Sequence, residues 1–154
     1  MEKFPLKQYS GSDIEKLQLC ELLKKSDSQD IWQFDKIIVT LGQKNSSLFF
    51  AEEGDESGWC GFILTQGLFD PCDILLVYVD SRYRSQGLGN RLLNFAMAEL
   101  SDRFSEFILE VSANNEPAIG LYEKFGFKPI DVRKSYYKDG SDAVIYRKTR
   151  TDDR

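Results

Sequence analysis

The sequence contains no histidine, and this absence excludes more than any residue present. A Ser-His-Asp triad, a Cys-His pair and a histidine metal site are all out of reach, so acid–base work at neutral pH falls to carboxylates, tyrosines or lysines. Cysteine is sparse and odd in number. Cys20, Cys60 and Cys72 stand far apart, a usage that fits structural thiols in a reducing compartment better than disulfides or a zinc site. No metal is expected. No apolar run reaches membrane length and residues 1–12 are polar and mixed, so neither a membrane span nor a secretory leader is expected and the chain reads as cytoplasmic. Positive charge is in deficit, with 20 Lys and Arg against 25 Asp and Glu for a formal charge of −5. That balance argues against direct nucleic-acid binding and suits a cationic partner. Repeats and low-complexity linkers are missing too.

What remains is 154 residues, 42% hydrophobic and 13% aromatic, enough for one well-packed domain and too little for two. One domain over residues 1–148 is expected, with 149–154 as a frayed tail. The stretch I-L-L-V-Y-V-D-S-R-Y-R-S-Q-G-L-G, Ile74 to Gly89, organises the rest. Ile74 to Val79 reads as a strand buried on both faces, Asp80 to Gln86 as a polar turn with two arginines, and Gly87 and Gly89 open a helix. Leu88, Leu92, Leu93, Ala96 and Leu100 form that helix's apolar stripe. Strand, glycine-rich turn and helix in this order make an anion site, because the first N–H groups of a helix lack partners and carry the positive end of its dipole. Gly87 and Gly89 would let a pyrophosphate approach the backbone from Ser85 through Gln86 and Leu88 to Asn90, with Arg84 adding a fixed charge. A glycine pair alone is a common turn signal, so its neighbours decide.

Upstream, Phe4 to Gln8 suggests a short strand, and Ser10-Gly-Ser-Asp an N-cap for a helix with Ile14, Leu17, Leu19, Leu22 and Leu23 on its apolar face. Ile31, Phe34, Ile37, Ile38 and Leu41 suggest a second helix closed by Gly42. Leu48 to Ala51 and Trp59 to Thr65 read as paired strands. Downstream, Phe107 to Val111 alternates so that Phe107, Leu109 and Val111 share one face and Glu110 points the other way. A carboxylate in such a strand costs free energy unless hydrated, hydrogen-bonded or functional; the bland reading is an edge residue facing water. Asn114 or Asn115 can cap the next helix, Pro117 suits its first turn and Gly126 ends it, with Ala118, Leu121, Tyr122 and Phe125 as inner stripe. A tyrosine on such a stripe is more often core than catalytic. Phe127 to Ser135 and Ala143 to Lys148 complete the strands around a turn at Asp139-Gly140.

The pieces V-Y-V-D, R-x-x-G-x-G, L-E-V and N-x-P-A-I-x-L-Y-x-K-x-G-F, in this order, resemble the GNAT family of acetyl-CoA-dependent N-acetyltransferases. Within it, R-K-S-Y-Y-K-D-G-S-D-A is similar to the branch that acetylates the N-terminal alanine of ribosomal proteins. The resemblance runs from about Trp32 to Arg147. It implies an α/β fold, a single mixed, largely antiparallel twisted sheet with helices on both faces. It implies acetyl-CoA as co-substrate, with the pyrophosphate on Ser85, Gln86, Gly87, Leu88, Gly89 and Asn90 beside Arg84. The pantetheine would pair with Val77, Tyr78 and Val79, and Asn115 would add a further contact. It implies Glu110 as general base and Tyr122 as general acid. The acceptor would be the N-terminal peptide of a small-subunit ribosomal protein, taken by a monomer between the region of Ile31 to Phe34 and the residues Tyr136, Tyr137 and Asp142. The family often has Asn at Leu76 and a small residue at Tyr78, so the acceptor groove departs from the pattern. Three alternatives are weighed against this. One is acetylation of a lysine or small-molecule amine, and another a non-catalytic acyl-CoA-binding module, against which both Glu110 and Tyr122 count. The third, a Rossmann dinucleotide site, fails because Leu92 stands where a third glycine should and a long turn separates strand from glycines.

Overall fold

The computed structural model describes residues 3–26, 32–54 and 58–149. Among them, seven strands form one sheet: β1 (Leu6–Gln8), β2 (Ser46–Glu52), β3 (Trp59–Gln66), β4 (Cys72–Val79), β5 (Glu106–Ser112), β6 (Lys128–Arg133) and β7 (Ala143–Thr149). Their spatial order is β1-β2-β3-β4-β5-β7-β6, and β4–β5 is the parallel pair in an otherwise antiparallel sheet. Helices α1 (Asp13–Lys24) and α2 (Phe34–Leu41) cover one face; α3 (Leu88–Leu100) and α4 (Glu116–Phe125) belong to the other. This is the mixed, two-faced architecture expected from the sequence, and a parallel doubly wound sheet is ruled out.

Alternation explains the two cores. On β2, Phe49 and Ala51 point toward α3 while Leu48 and Phe50 point toward α1 and α2, and all four are buried because both faces are covered. The α3 stripe holds in full: Leu88, Leu92, Leu93, Ala96 and Leu100 are all buried. Ser12 caps α1 in a capping box with Glu15, as a Ser three residues before a Glu should. Gly42 follows α2 and Gly126 closes α4 in the left-handed conformation.

Two expectations need correction. Leu19 and Leu22 are buried in α1, but Ile14 and Leu17 are 64% and 61% exposed. At roughly 100° per residue, Leu19, Leu22 and Leu23 share one arc, and Ile14 and Leu17 point away from it. β4 is also less enclosed than an apolar run suggests, with Leu75, Leu76 and Val77 only half-buried. The reason is a split in the sheet, and the split makes the site. Of the tail expected over 149–154, Thr149 instead ends β7 opposite Glu106, and the rest, like Ile31 at the proposed start of α2, lies outside the described residues.

Candidate active site

β4 and β5 are paired only over Cys72 to Ile74 and Phe107 to Leu109. At Leu75 the β3–β4 register shifts, Leu64 facing Leu76 and Thr65 facing Ile74, so Leu75 is an extra residue that bends β4 away from its neighbour. Past that point β4 follows β3 to the Val79–Gly61 pair, while β5 follows β7 to the Ser112–Ala143 pair. A cleft opens between them. Along it, Val77, Tyr78 and Val79 turn an unpaired backbone edge toward the gap, which an extended ligand can complete as an added strand.

At the mouth of the cleft the chain makes a 3-10 turn, Ser81–Tyr83, capped by Asp80. The buried Asp80 carboxylate takes hydrogen bonds from Arg82 Nε at 3.1 Å and Nη2 at 2.9 Å, so Arg82 is committed to the turn. Arg84 Nε donates to the Val79 carbonyl at 2.9 Å, anchoring its guanidinium where the strand ends. Ser85 (φ 64°) and Gly87 (φ 77°) both adopt the left-handed region, which folds the loop over the start of α3. Side chains cap α1 and α4, whereas α2 and α3 have no side-chain cap. The first N–H groups of α3 lie in the segment Ser85, Gln86, Gly87, Leu88, Gly89, Asn90, the stretch expected from the sequence to receive a pyrophosphate. The two glycines do different work. Gly87 supplies the left-handed turn, whereas a Cβ on Gly89 would lie 3.1 Å from Leu121 Cδ2, so Gly89 lets α3 and α4 meet.

Glu110 projects to the α1/α2 face of β5, since Phe107, Leu109 and Val111 pack on the other. β5 is an interior strand, yet no helix covers Glu110 here, and it faces solvent because the neighbouring strand has turned away. Its carboxylate Oε1 lies 3.2 Å from Arg133 Nη1. The anomaly in the sequence is thus a hydrated, ion-paired group at the cleft. Asp73 stands on the same face, paired in register with Ile108; its carboxyl is held above the usual range by burial and then by the Glu110 charge. Neither Arg133 nor Asp73 was singled out from sequence, because only strand pairing brings them to Glu110.

Tyr122 lies on the opposite side, in the α3/α4 core, with its ring 6.0 Å from that of Phe127. Burial, and then the neighbouring Tyr137, push its pKa up to about 12, so the hydroxyl keeps its proton at neutral pH. Asn115 caps α4, its Oδ1 accepting from Ala118 N–H at 3.3 Å. In the β6–β7 loop, Tyr136 stands edge-on to Tyr137 at 5.2 Å. Asp142 accepts from Ser135 N–H at 2.9 Å and pairs with Lys134 at 3.3 Å. These contacts, the Ser135 N–H first, hold the Asp142 carboxyl below its ordinary pKa. Its carboxylate ties the loop together. Tyr78 turns its ring toward Phe62 under α1 and α2, 6.2 Å between centroids. Its hydroxyl is buried without a hydrogen-bond partner among the described residues. No group of three or more His, Cys, Asp or Glu that could hold a metal occurs among the described residues.

A split sheet with an uncapped helix N-terminus at its mouth, a carboxylate on one face and a buried tyrosine on the other defines an acyl-CoA-type site. The chain belongs to the acetyltransferase (GNAT) family, which matches residues 12–127. It is 41% identical over 88 residues to the ribosomal protein bS18-alanine N-acetyltransferase of Escherichia coli K12, covering 54% of this chain and 60% of that protein. It is 39% identical over 74 residues to an N-alpha-acetyltransferase of Sulfurisphaera tokodaii, covering 47% and 44%. The matched stretches thus span less than two thirds of these relatives' own lengths. The crystal structure of the bS18-alanine N-acetyltransferase from Escherichia coli superposes with a TM-score of 0.80 at 26% identity, over 94% of both chains. A GNAT family acetyltransferase from Elizabethkingia anophelis, solved with acetyl-CoA bound, shares the fold with a TM-score of 0.73 at 18% identity over 97% and 99%.

Proposed function

We propose that the protein transfers the acetyl group of acetyl-CoA to the N-terminal α-amine of a peptide, the N-terminal alanine of a ribosomal protein being the acceptor best supported. The carrying observation is the cleft between β4 and β5, which has Glu110 on one face and Tyr122 on the other. Two substrates can then meet through the sheet from opposite sides. The uncapped start of α3 and Arg84 suit the pyrophosphate, and the free edge of Val77 to Val79 suits the pantetheine. The place of Asn115, between the end of β5 and the start of α4, supports a further contact with the cofactor.

Attack requires a neutral amine. An α-amine has a pKa of about 7.7 to 8.0 against about 10.4 for lysine, so a carboxylate acting directly or through one water suffices for an N-terminus. Glu110 takes the amine proton as the nitrogen bonds to the thioester carbon, and backbone N–H groups of β4 can steady the oxyanion. Collapse breaks the carbon–sulfur bond, and Tyr122 donates its proton to the departing sulfur. The acceptor is walled by Tyr136, Tyr137 and the Asp142-tied loop, and by α2 from Phe34 onward. An acidic protein with such walls suits a short cationic peptide.

Mass spectrometry on a peptide panel beginning Ala, Ser, Met or Gly, with blocked N-termini and free lysines as controls, tests this reading. We expect acetyl-CoA-dependent modification of free α-amines with alanine favoured. Preferred modification of lysines or polyamines would retain the acetyltransferase and remove the N-terminal specificity; cofactor binding without any transfer would leave a binding module.

A further inference from the structure

Arg133 ends β6, two strands away from Glu110, and the acyl transfer itself calls for no cation beside the base. Pairing puts it there. Arg133 faces Ala143 on β7 and Ala143 faces Ser112 on β5, so Arg133 shares the sheet face of Ser112 and of Glu110, two residues before it. The side chain reaches back across β7 until Nη1 stands 3.2 Å from Glu110 Oε1. Its guanidinium carbon also lies 5.4 Å from the centre of the Tyr136 ring. One residue thus touches both the base and the acceptor wall.

Stability does not account for the contact. Both side chains are well exposed, at 51% and 33%, and exposed ion pairs contribute little because water screens them and ordering two long side chains costs entropy. Orientation does. A glutamate has three rotatable bonds, and a base must stay within a fraction of an ångström of its working position. The closest approach joins Arg133 Nη1 to Glu110 Oε1. A fork-to-fork pair would engage both carboxylate oxygens; the contact at 3.2 Å is made to Oε1.

We propose that Arg133 is a positioning residue for the acyl transfer, holding Oε1 of Glu110 so that Oε2 receives the proton of the acceptor amine. This rests on Glu110 acting as base. The amine proton passes to Oε2 as the new carbon–nitrogen bond forms, Tyr122 supplies the proton that the sulfur gains, and Arg133 keeps its own throughout. The ring of Tyr136, 5.4 Å away, steadies the guanidinium as well, so the loop that receives the peptide also helps fix the base.

A double-mutant cycle tests it. Steady-state kinetics are measured for Arg133→Gln and Arg133→Lys, alone and combined with Glu110→Gln, with acetyl-CoA affinity and thermal midpoint followed in parallel. Arg133→Gln should lower kcat roughly five- to thirtyfold, with cofactor affinity and midpoint unchanged. Arg133→Lys should recover part of the loss, since an ammonium can hold one oxygen but less rigidly. In the Glu110→Gln background, Arg133→Gln should cost nothing further. Full kcat in Arg133→Gln overturns the proposal, as does an equal loss in both backgrounds, which would put the arginine's work elsewhere. Full activity in Glu110→Gln alone overturns the base and this proposal together, whereas a wild type that acetylates no peptide overturns the function itself.

Discussion

Glu110, Tyr122 and Tyr78 each carry a prediction that a single atom decides. Glu110→Gln keeps size and loses the basic oxygen, so turnover should fall most near neutral pH and recover partly as pH rises and more of the amine is already neutral. A pH–rate profile checks this, and an unchanged profile removes the base role. Tyr122→Phe keeps the packing against Phe127 and loses the hydroxyl; turnover should drop by roughly two orders of magnitude with acetyl-CoA affinity little changed. The same residue has a stability signature. Its pKa is raised by burial to about 12 from about 10 in the unfolded chain, so its contribution is whole below pH 10 and is lost as pH rises toward 12. Thermal melts over that range should decline less steeply for Tyr122→Phe than for wild type. Tyr78 is the converse case. Its buried hydroxyl has no partner among the described residues, and Tyr78→Phe should raise stability by about 1 kcal/mol in urea melts; a loss would mean that the hydroxyl is paired in solution.

Two glycines at the start of α3 separate backbone shape from helix packing. Gly87 has φ 77° with open space where a Cβ would stand, whereas a Cβ on Gly89 would meet Leu121 Cδ2 at 3.1 Å. Gly87→Ala should therefore cost about 1 kcal/mol through strain alone. Gly89→Val should cost more, because it pries α3 from α4, and should weaken acetyl-CoA binding as the helix start shifts. Calorimetry beside thermal melts resolves the two effects. Retained cofactor affinity in a folded Gly89→Val protein would remove the loop from the pyrophosphate site. The caps follow local sequence: Ser12 and Asn115 close α1 and α4, whereas α2 and α3 start without a side-chain cap, and of these two α3 follows the glycine-rich turn.

Across the whole molecule, the formal charge of −5 and the carboxylates Asp73 and Glu110 on the face proposed to receive the acceptor should draw a basic peptide. Raising salt shortens the Debye length from about 10 Å at 0.1 M toward about 3 Å at 1 M, so KM for a basic peptide should rise while that of a neutral peptide barely moves. A salt-independent KM for both would show that steering plays no part. The sheet also explains how the two proposed catalytic groups, on different faces, could cooperate. A continuous sheet would wall Glu110 off from Tyr122, and the bend at Leu75 opens a passage between them.

The sequence by itself determined the elements and the family. Apolar spacing marked the α3 stripe, caps and glycines marked the ends of α1, α2 and α4, and alternation turned Glu110 away from the core side of β5, because local periodicity is written residue by residue. It misjudged Ile14 and Leu17, whose fate depends on which arc of α1 meets the sheet. Beyond the neighbouring pair β2–β3, which it did indicate, strand partners were out of its reach. Only the tertiary structure decided that β4 and β5 part at Leu75, that Gly89 is spent on Leu121, that Asp142 ties a loop, and that Arg133 meets Glu110 across β7. Apart from the Asp142 contacts, which lie within one loop, those facts rest on contacts between segments distant in sequence, where register is fixed by the packing of both faces at once.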